Sequence, residues 1–140
     1  MIPKAIILDV VTPDRPIVHD RVDEVQMPGL DGAFGVLPGH APLLAGLQPG
    51  EMWYRKGAEK LFLSIEFGVA EVLPNRVTVM ATRAQRPEEI DVAQCESERR
   101  ESEEHLRRPG SLEDAERARV AMMAAIMRLR VAERARTRRG

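Results

Sequence analysis

Residues 27–44 read MPGLDGAFGVLPGHAPLL, and the fold follows from how a chain can pass through them. Four glycines (Gly29, Gly32, Gly35, Gly39) and three prolines (Pro28, Pro38, Pro42) stand among apolar residues, so the backbone must turn repeatedly while still feeding a core. No helix can run through such a segment, which predicts tight turns between short extended pieces. A phosphate cradle would place a lysine and a hydroxyl residue directly after its last glycine, whereas Gly39 is followed by His40, Ala41 and Pro42. The stretch therefore reads as a rigid docking loop.

Outward from it, short aliphatic runs alternate with turn residues. Residues 5–11 form one run, stopped by Thr12, Pro13 and Asp14; Ile17–Val18, Val22–Met27 and Leu43–Leu47 follow, the last closed by Pro49 and Gly50. Glu51–Arg55 and Leu61–Ile65 flank Lys56, Gly57 and Ala58 as a hairpin would, and Val69–Leu73 and Val77–Ala81 flank Pro74, Asn75 and Arg76 as a second. In the last run Val77, Val79 and Ala81 alternate with Thr78, Met80 and Thr82, the pattern of a half-buried strand. About eight short strands at this spacing predict a sandwich or flattened barrel.

After Pro87 the composition turns to Glu, Arg, Ala and Ser with no further glycine or proline until Pro109 and Gly110, a helix bounded by breakers. Glu88 and Glu89 are expected in its first turn and Arg107 and Arg108 in its last, matching the helix dipole. Ser111 is the expected N-cap of a second helix, with Leu112, Ala115, Met122, Ile126 and Leu129 on one face and Ala118, Ala121, Ala125 and Ala132 beside it. The fold class is thus α+β: an N-terminal β-sandwich over residues 1–87, then an antiparallel two-helix hairpin over residues 88–140.

Composition narrows the function. The chain has 140 residues and a single cysteine, Cys95, so no internal disulfide can form. His19, His40 and His105 do not stand at metal-ligand spacing, and no zinc site is expected. No apolar run approaches the roughly 20 residues that span a bilayer, so neither an anchor nor a signal peptide is expected. The net charge of −1 hides a segregation: residues 1–87 carry 9 basic and 10 acidic groups, 88–110 carry 4 and 8, and 111–140 carry 8 and 4. Carboxylates are scattered and no nucleophile stands beside a base, so no catalytic residue is assigned. Nucleic acid is not an expected partner, because residues 88–140 contain no Phe, Tyr or Trp for bases to stack on.

The glycine and proline stretch, and within it GVLPGHAPL at 35–43, the hairpin through Ala70, Glu71, Val72, Val77, Thr78 and Val79, the Glu88–Asp91 entry to two terminal helices, and LRV at 129–131 together resemble the epsilon subunit of bacterial F-type (rotary) ATP synthases. The resemblance covers essentially the whole chain. It implies a central-stalk rotor subunit that couples the membrane c-ring to gamma and the catalytic head, restrains ATP hydrolysis through its helices and catalyses nothing itself. It also implies a peripheral position on the cytoplasmic face of the bacterial plasma membrane, as part of a hydrogen-ion-transporting complex.

Carried over by position, Asp31, Gly32, Ala33, Phe34, Gly35, Pro38, Gly39, His40, Ala41 and Pro42 would face the c-ring and gamma. Family members often have a charged or polar residue where Ala33 stands. His40 has two readings, a gamma contact or a turn histidine bonded to nearby backbone. Arg128, Arg130, Arg134 and Arg136 are the candidates for an inhibitory contact with an acidic segment of the catalytic beta subunit, within reach of alpha and beta if the helices extend by about 30 and 40 Å. Some relatives bind regulatory ATP at the start of the first helix through Ile/Leu-Asp-x-x-Arg-Ala. Ile90, Asp91 and Cys95 occupy that pattern here, but its arginine is Gln94 and its alanine is Cys95, a weaker phosphate site. An ATP-sensing module acting through the hairpin is therefore the alternative reading, and no cofactor is required. At residues 65–68 the family has a Ser-Gly-Gly run where this chain has Ile65, Glu66, Phe67 and Gly68, which implies a locally different surface.

Overall fold

The computed structural model describes residues 2–139, the side chains of the last two excepted. The chain forms two compact units, one ending at Gln85 and the other beginning at Arg86.

The first unit contains eight strands among the described residues: β1 (Ile6–Val11), β2 (Pro16–Val22), β3 (Glu24–Gly29), β4 (Gly32–Val36), β5 (Leu43–Leu47), β6 (Gly50–Lys56), β7 (Glu59–Leu73) and β8 (Arg76–Gln85). They pair in the order β2-β1-β8-β7-β5-β3-β4, with β6 bridging β3 and β7, so the sheet folds back on itself as a sandwich. All of these pairs are antiparallel except β1 with β8, which run parallel from Ile7 opposite Arg76 to Val11 opposite Met80. Between the layers lies an aliphatic core that includes Ile6, Leu8, Val10, Val25, Met27, Val36, Leu63, Ile65, Val72 and Val79, with Tyr54 as its one fully buried aromatic.

The strand β7 belongs to both layers. Its first half pairs with β6 from Glu59 to Ile65, its second half with β5 from Gly68 to Val72, and β8 runs along it from Ser64 to Leu73, across the crossing. Side chains alternate along a strand, so crossing from one layer to the other demands a change of phase. Leu61, Leu63 and Ile65 point inward in the first half, Ala70 and Val72 in the second. On β8 the same change separates Val77, Val79 and Ala81 from Ala84.

The switch lies at Phe67, whose φ of 25° is the one positive value outside glycine among the described residues. Opposite it, the Thr82 hydroxyl donates to the Glu66 carbonyl at 2.9 Å. Read as two separate strands, residues 61–65 and 69–73 are instead one strand of 15 residues. The backbone conformation at 67 is one that glycine adopts freely, and Phe67 holds it under strain.

The turn-rich stretch contains a strand that the sequence pattern does not announce. After Gly29 the chain reverses at Leu30 and Asp31, and β4 returns along β3 with Met27 opposite Phe34 and Gly29 opposite Gly32. Gly32, at φ 125°, makes the reversal feasible.

In the second unit Pro87–Glu89 forms a single 3₁₀ turn, followed by α1 (Val92–Arg107) and α2 (Leu112–Arg139). Glu88 and Glu89 therefore precede α1 rather than forming its first turn, because Asp91 caps it: its Oδ1 accepts from the Gln94 amide at 3.0 Å. Ser111 caps α2 as expected, its Oγ accepting from the Asp114 amide at 3.0 Å. The helices pack antiparallel, with Cys95 near the start of α1 against Arg128 late in α2. The buried face of α2 is Ala118, Ala124, Ala125, Arg128, Val131, Ala132 and Ala135; Met122, Ile126 and Leu129 are only half-buried, and Leu112 is 91% exposed. The expected stripe is rotated because alanines, which allow close helix approach, take the contact line and an arginine joins them.

At the layer crossing, a Cβ on Gly68 would meet the Met80 carbonyl oxygen at 2.2 Å. Gly68→Ala is expected to cost about 2–3 kcal/mol in urea unfolding, because a backbone atom cannot yield as a side chain would.

Candidate functional site

Three surfaces hold the residues singled out by sequence. The first is the β3–β4 tip. Leu30, Asp31, Gly32, Ala33 and Gly35 are exposed and Phe34 is half-buried against the core. The tip is fastened to β5: the Leu30 amide donates to the Gly46 carbonyl at 2.9 Å, and the Leu30 side chain lies where a Cβ on Gly46 would be, 2.5 Å from its Cδ1. Gln48 ties the other side, its amide donating to Pro28 O and its Nε2 to Gly29 O, both at 3.0 Å. The tip thus presents its small residues from a fixed frame.

The loop from Leu37 to Pro42 is equally constrained. Gly39, at φ 88°, donates its amide to the Pro74 carbonyl at 2.8 Å. The imidazole Nδ1 of His40 donates to the Ala41 carbonyl at 2.7 Å, a bond of the kind a turn histidine makes. Pro38 is half-buried, and Ala41 and Pro42 are exposed.

Next to the tip lies a feature that sequence reasoning missed. Leu44 on β5 stands opposite Glu71, Gly46 opposite Val69, and Val69 opposite Met80 on β8. With the Leu30 side chain over Gly46, these neighbours put Leu30 (62% exposed), Leu44 (71%), Val69 and Met80 in one apolar strip on the outer face. The signal was present in β8, where Met80 shares the outward parity of Thr78 and Thr82. Joining it to Leu30 and Leu44 required the pairing of distant strands.

The helical hairpin separates the four arginines assigned to an inhibitory contact. Arg130 and Arg136 are exposed, the latter 3.5 Å from Glu133, and Arg134 is half-buried. Arg128 is only 3% exposed; its Nε donates to Cys95 Sγ at 3.3 Å and a terminal nitrogen pairs with Glu98. In the closed hairpin Arg128 is therefore not a surface cation, because a turn that points its side chain at α1 finds a carboxylate there.

The residues matching the nucleotide pattern also have structural occupations. Ile90 and Cys95 pack with Val131 and Ala132, and Asp91 caps α1. A cavity of about 550 Å³ beside them, within the second unit, is lined by Glu88, Glu96 and Glu133 against Arg130 and Arg136. Three carboxylates facing two guanidiniums oppose a polyphosphate. Among the described residues no group of three or more His, Cys, Asp or Glu side chains could hold a metal ion, and no helix is long and apolar enough to cross a membrane.

Residues 5–87 match the family "ATP synthase, Delta/Epsilon chain, beta-sandwich domain" and residues 88–133 match "ATP synthase, Delta/Epsilon chain, long alpha-helix domain". The chain is 43% identical over 131 residues to the ATP synthase epsilon chain of Herpetosiphon aurantiacus, covering 94% of this chain and 96% of that one. It is 44% identical over 102 residues to that of Koribacter versatilis, covering 73% and 72%. Among solved structures, a chain of the Euglena gracilis mitochondrial ATP synthase OSCP/F1/c-ring assembly shares the fold with a TM-score of 0.81 at 24% identity, over 98% of this chain and 84% of that one. A chain of the Tetrahymena thermophila mitochondrial ATP synthase central stalk/c-ring gives 0.62 at 12%, over 93% and 97%. A sandwich closed by a shared long strand, a two-helix unit after it, and relatives of this identity along nearly the full length lead to one assignment: the chain belongs to the ATP synthase delta/epsilon chain family, on the bacterial epsilon side.

Proposed function

We propose that this epsilon chain is a non-catalytic rotor subunit, in which the sandwich docks on gamma and on the polar loops of the c-ring and the helices restrain ATP hydrolysis. The observation that carries the reading is the apolar strip Leu30, Leu44, Val69 and Met80, mounted on a rigid sandwich beside the fastened β3–β4 tip. An exposed apolar patch of contiguous residues marks a partner surface, and gamma is the partner assigned to it. The small, exposed tip residues Gly32, Ala33 and Gly35 are assigned to the c-ring, where close backbone approach substitutes for the polar side chain that Ala33 lacks. Solved relatives described as F1/c-ring and central stalk/c-ring assemblies support the pairing.

A coupling element must pass torque without yielding. The Gly/Pro stretch suits this role, since its turns are fixed by backbone hydrogen bonds to β5 and to Pro74. The complex to which such a chain belongs is membrane-associated, and the chain is assigned to its cytoplasmic face in a bacterium.

For the brake, α1 and α2 of 16 and 28 residues would together reach about 66 Å if extended. Polar helices of this kind need packing partners, so extension requires gamma and the catalytic head to replace what the closed hairpin provides. The exposed cations Arg130 and Arg136, with Arg134, are assigned to an acidic surface of the catalytic beta subunit.

The deciding experiment measures ATP hydrolysis by a reconstituted catalytic head with gamma, comparing no added chain, the full chain and a chain ending at Pro87. The full chain is expected to inhibit and the truncated chain to bind gamma without inhibiting; failure of both to bind gamma overturns the reading. Leu44→Asp and Met80→Asp, each at an exposed position, are expected to weaken gamma binding about 10- to 100-fold by calorimetry while leaving the fold intact. Reversing Arg130, Arg134 and Arg136 to Glu is expected to relieve inhibition, with docking weaker on the order of 10-fold; unchanged hydrolysis removes the electrostatic brake.

A further inference from the structure

Phe67 combines two unfavourable features at one position. Its φ of 25° lies where glycine is at ease and a side chain is not, and its ring is 44% exposed, which makes it the one exposed aromatic among the described residues. A polar residue would remove the second feature and a glycine both. The layer crossing itself uses backbone rather than the ring: Gly68 permits the close approach of β8, and the Thr82 hydroxyl reaches the carbonyl of Glu66.

The place of the ring gives it a use. Beyond the crossing the odd-numbered residues of β7 face out, Phe67, Val69 and Glu71 being exposed while Ala70 and Val72 are buried. Val69 stands opposite Gly46 on β5 and Met80 on β8, and the Leu30 side chain lies over Gly46, so Phe67 continues the apolar strip along β7. Leu30, Leu44, Val69 and Met80 carry no ring, whereas binding energy at protein interfaces concentrates on aromatic side chains that fill a pocket. We propose that Phe67 is the anchor of this surface: its ring seats in an apolar, phenyl-sized pocket on gamma, and the strained backbone is what presents it. None of the five residues is ionisable, so the pocket that receives them is lined by uncharged side chains. The identity of the partner rests on the reading of the strip given above, and relatives solved within F1/c-ring and central stalk/c-ring assemblies favour it over a second copy of this chain.

Phe67→Gly removes the ring and relaxes the backbone at once, so it separates a binding role from a structural one. In urea unfolding of the full chain its midpoint is expected to equal or exceed that of the wild type. Its affinity for the reconstituted catalytic head with gamma is expected to fall about 10- to 100-fold by calorimetry. Phe67→Asn, which also tolerates this φ, is expected to behave alike and decides the matter should the glycine variant not fold. With 4-fluorophenylalanine in place of Phe67, the fluorine resonance is expected to lose its response to a soluble relaxation agent when gamma binds, as a ring leaving water does.

Unchanged affinity in these variants, a lower urea midpoint in both, or a fluorine resonance as open to solvent with gamma as without it overturns the anchor. A wild-type dimer in sedimentation that Phe67→Gly abolishes seats the ring on a second copy and overturns gamma as its partner. If the wild-type chain fails to bind gamma, the reading of the strip falls and the anchor falls with it. If the wild type binds, Leu44→Asp weakens binding and Phe67→Gly does not, the anchor alone falls, so the two readings fail separately.

Discussion

The structure depends on one backbone event, the passage of β7 between the layers of the sandwich. A strand that serves two layers must change which of its side chains face the core, and β7 does so within three residues. Phe67 takes a conformation that costs it energy, Gly68 lets β8 approach where no Cβ fits, and the Thr82 hydroxyl closes the gap with the Glu66 carbonyl. Because β8 changes phase at the same level, the pairing register of the two strands continues across the switch. The core residues on either side of it are then buried together, and the outward residues beyond it, Val69 and Met80, come to lie beside Leu44 and Leu30.

The same economy governs the surface. The turn-rich stretch is stiff because it is tied at several points, Gly39 to Pro74, Leu30 to Gly46 and both Pro28 and Gly29 to Gln48. Under the proposed rotor role, stiffness there would carry load and the apolarity next to it would supply adhesion. The second unit works on the opposite principle. Its helices meet along a line of mostly small apolar residues that also holds the Arg128–Glu98 ion pair.

Much of this was legible in the sequence where the cause was local. β5 runs from Leu43 to Leu47 as read, since Pro42 and Pro49 bracket it, and the β6–β7 turn falls at Gly57, whose φ of 61° is what Lys-Gly-Ala signalled. The family resemblance rested on the same local signals. What escaped was set by distant pairing. Glu66-Phe67-Gly68 broke the alternation and made one strand look like two. The apolar strip joins residues from β5, β7, β8 and the β3–β4 turn. On α2 the size of Met122, Ile126 and Leu129 drew the buried stripe to the wrong side, because a periodic count of apolar residues does not register that an arginine with a carboxylate opposite it can be interior. Arg128, grouped by sequence with Arg130, Arg134 and Arg136, is buried, and Ile90, Asp91 and Cys95 have packing and capping roles that the sequence pattern did not announce.

The parallel pairing of β1 with β8 has a mechanical consequence. The chain leaves the sandwich at the end of β8, so any pull from the helical unit enters there. β1 flanks β8 from Arg76 to Met80 and β7 flanks it from Arg76 to Gln85, so the part of a pull that runs along β8 strains both ladders in shear, with many hydrogen bonds sharing the force. A terminal strand lying at an open edge would instead peel, one bond at a time. The first strand of the chain thus serves as a clamp on the last, and the sandwich resists being unravelled from the one point at which its own C-terminal segment can tug on it.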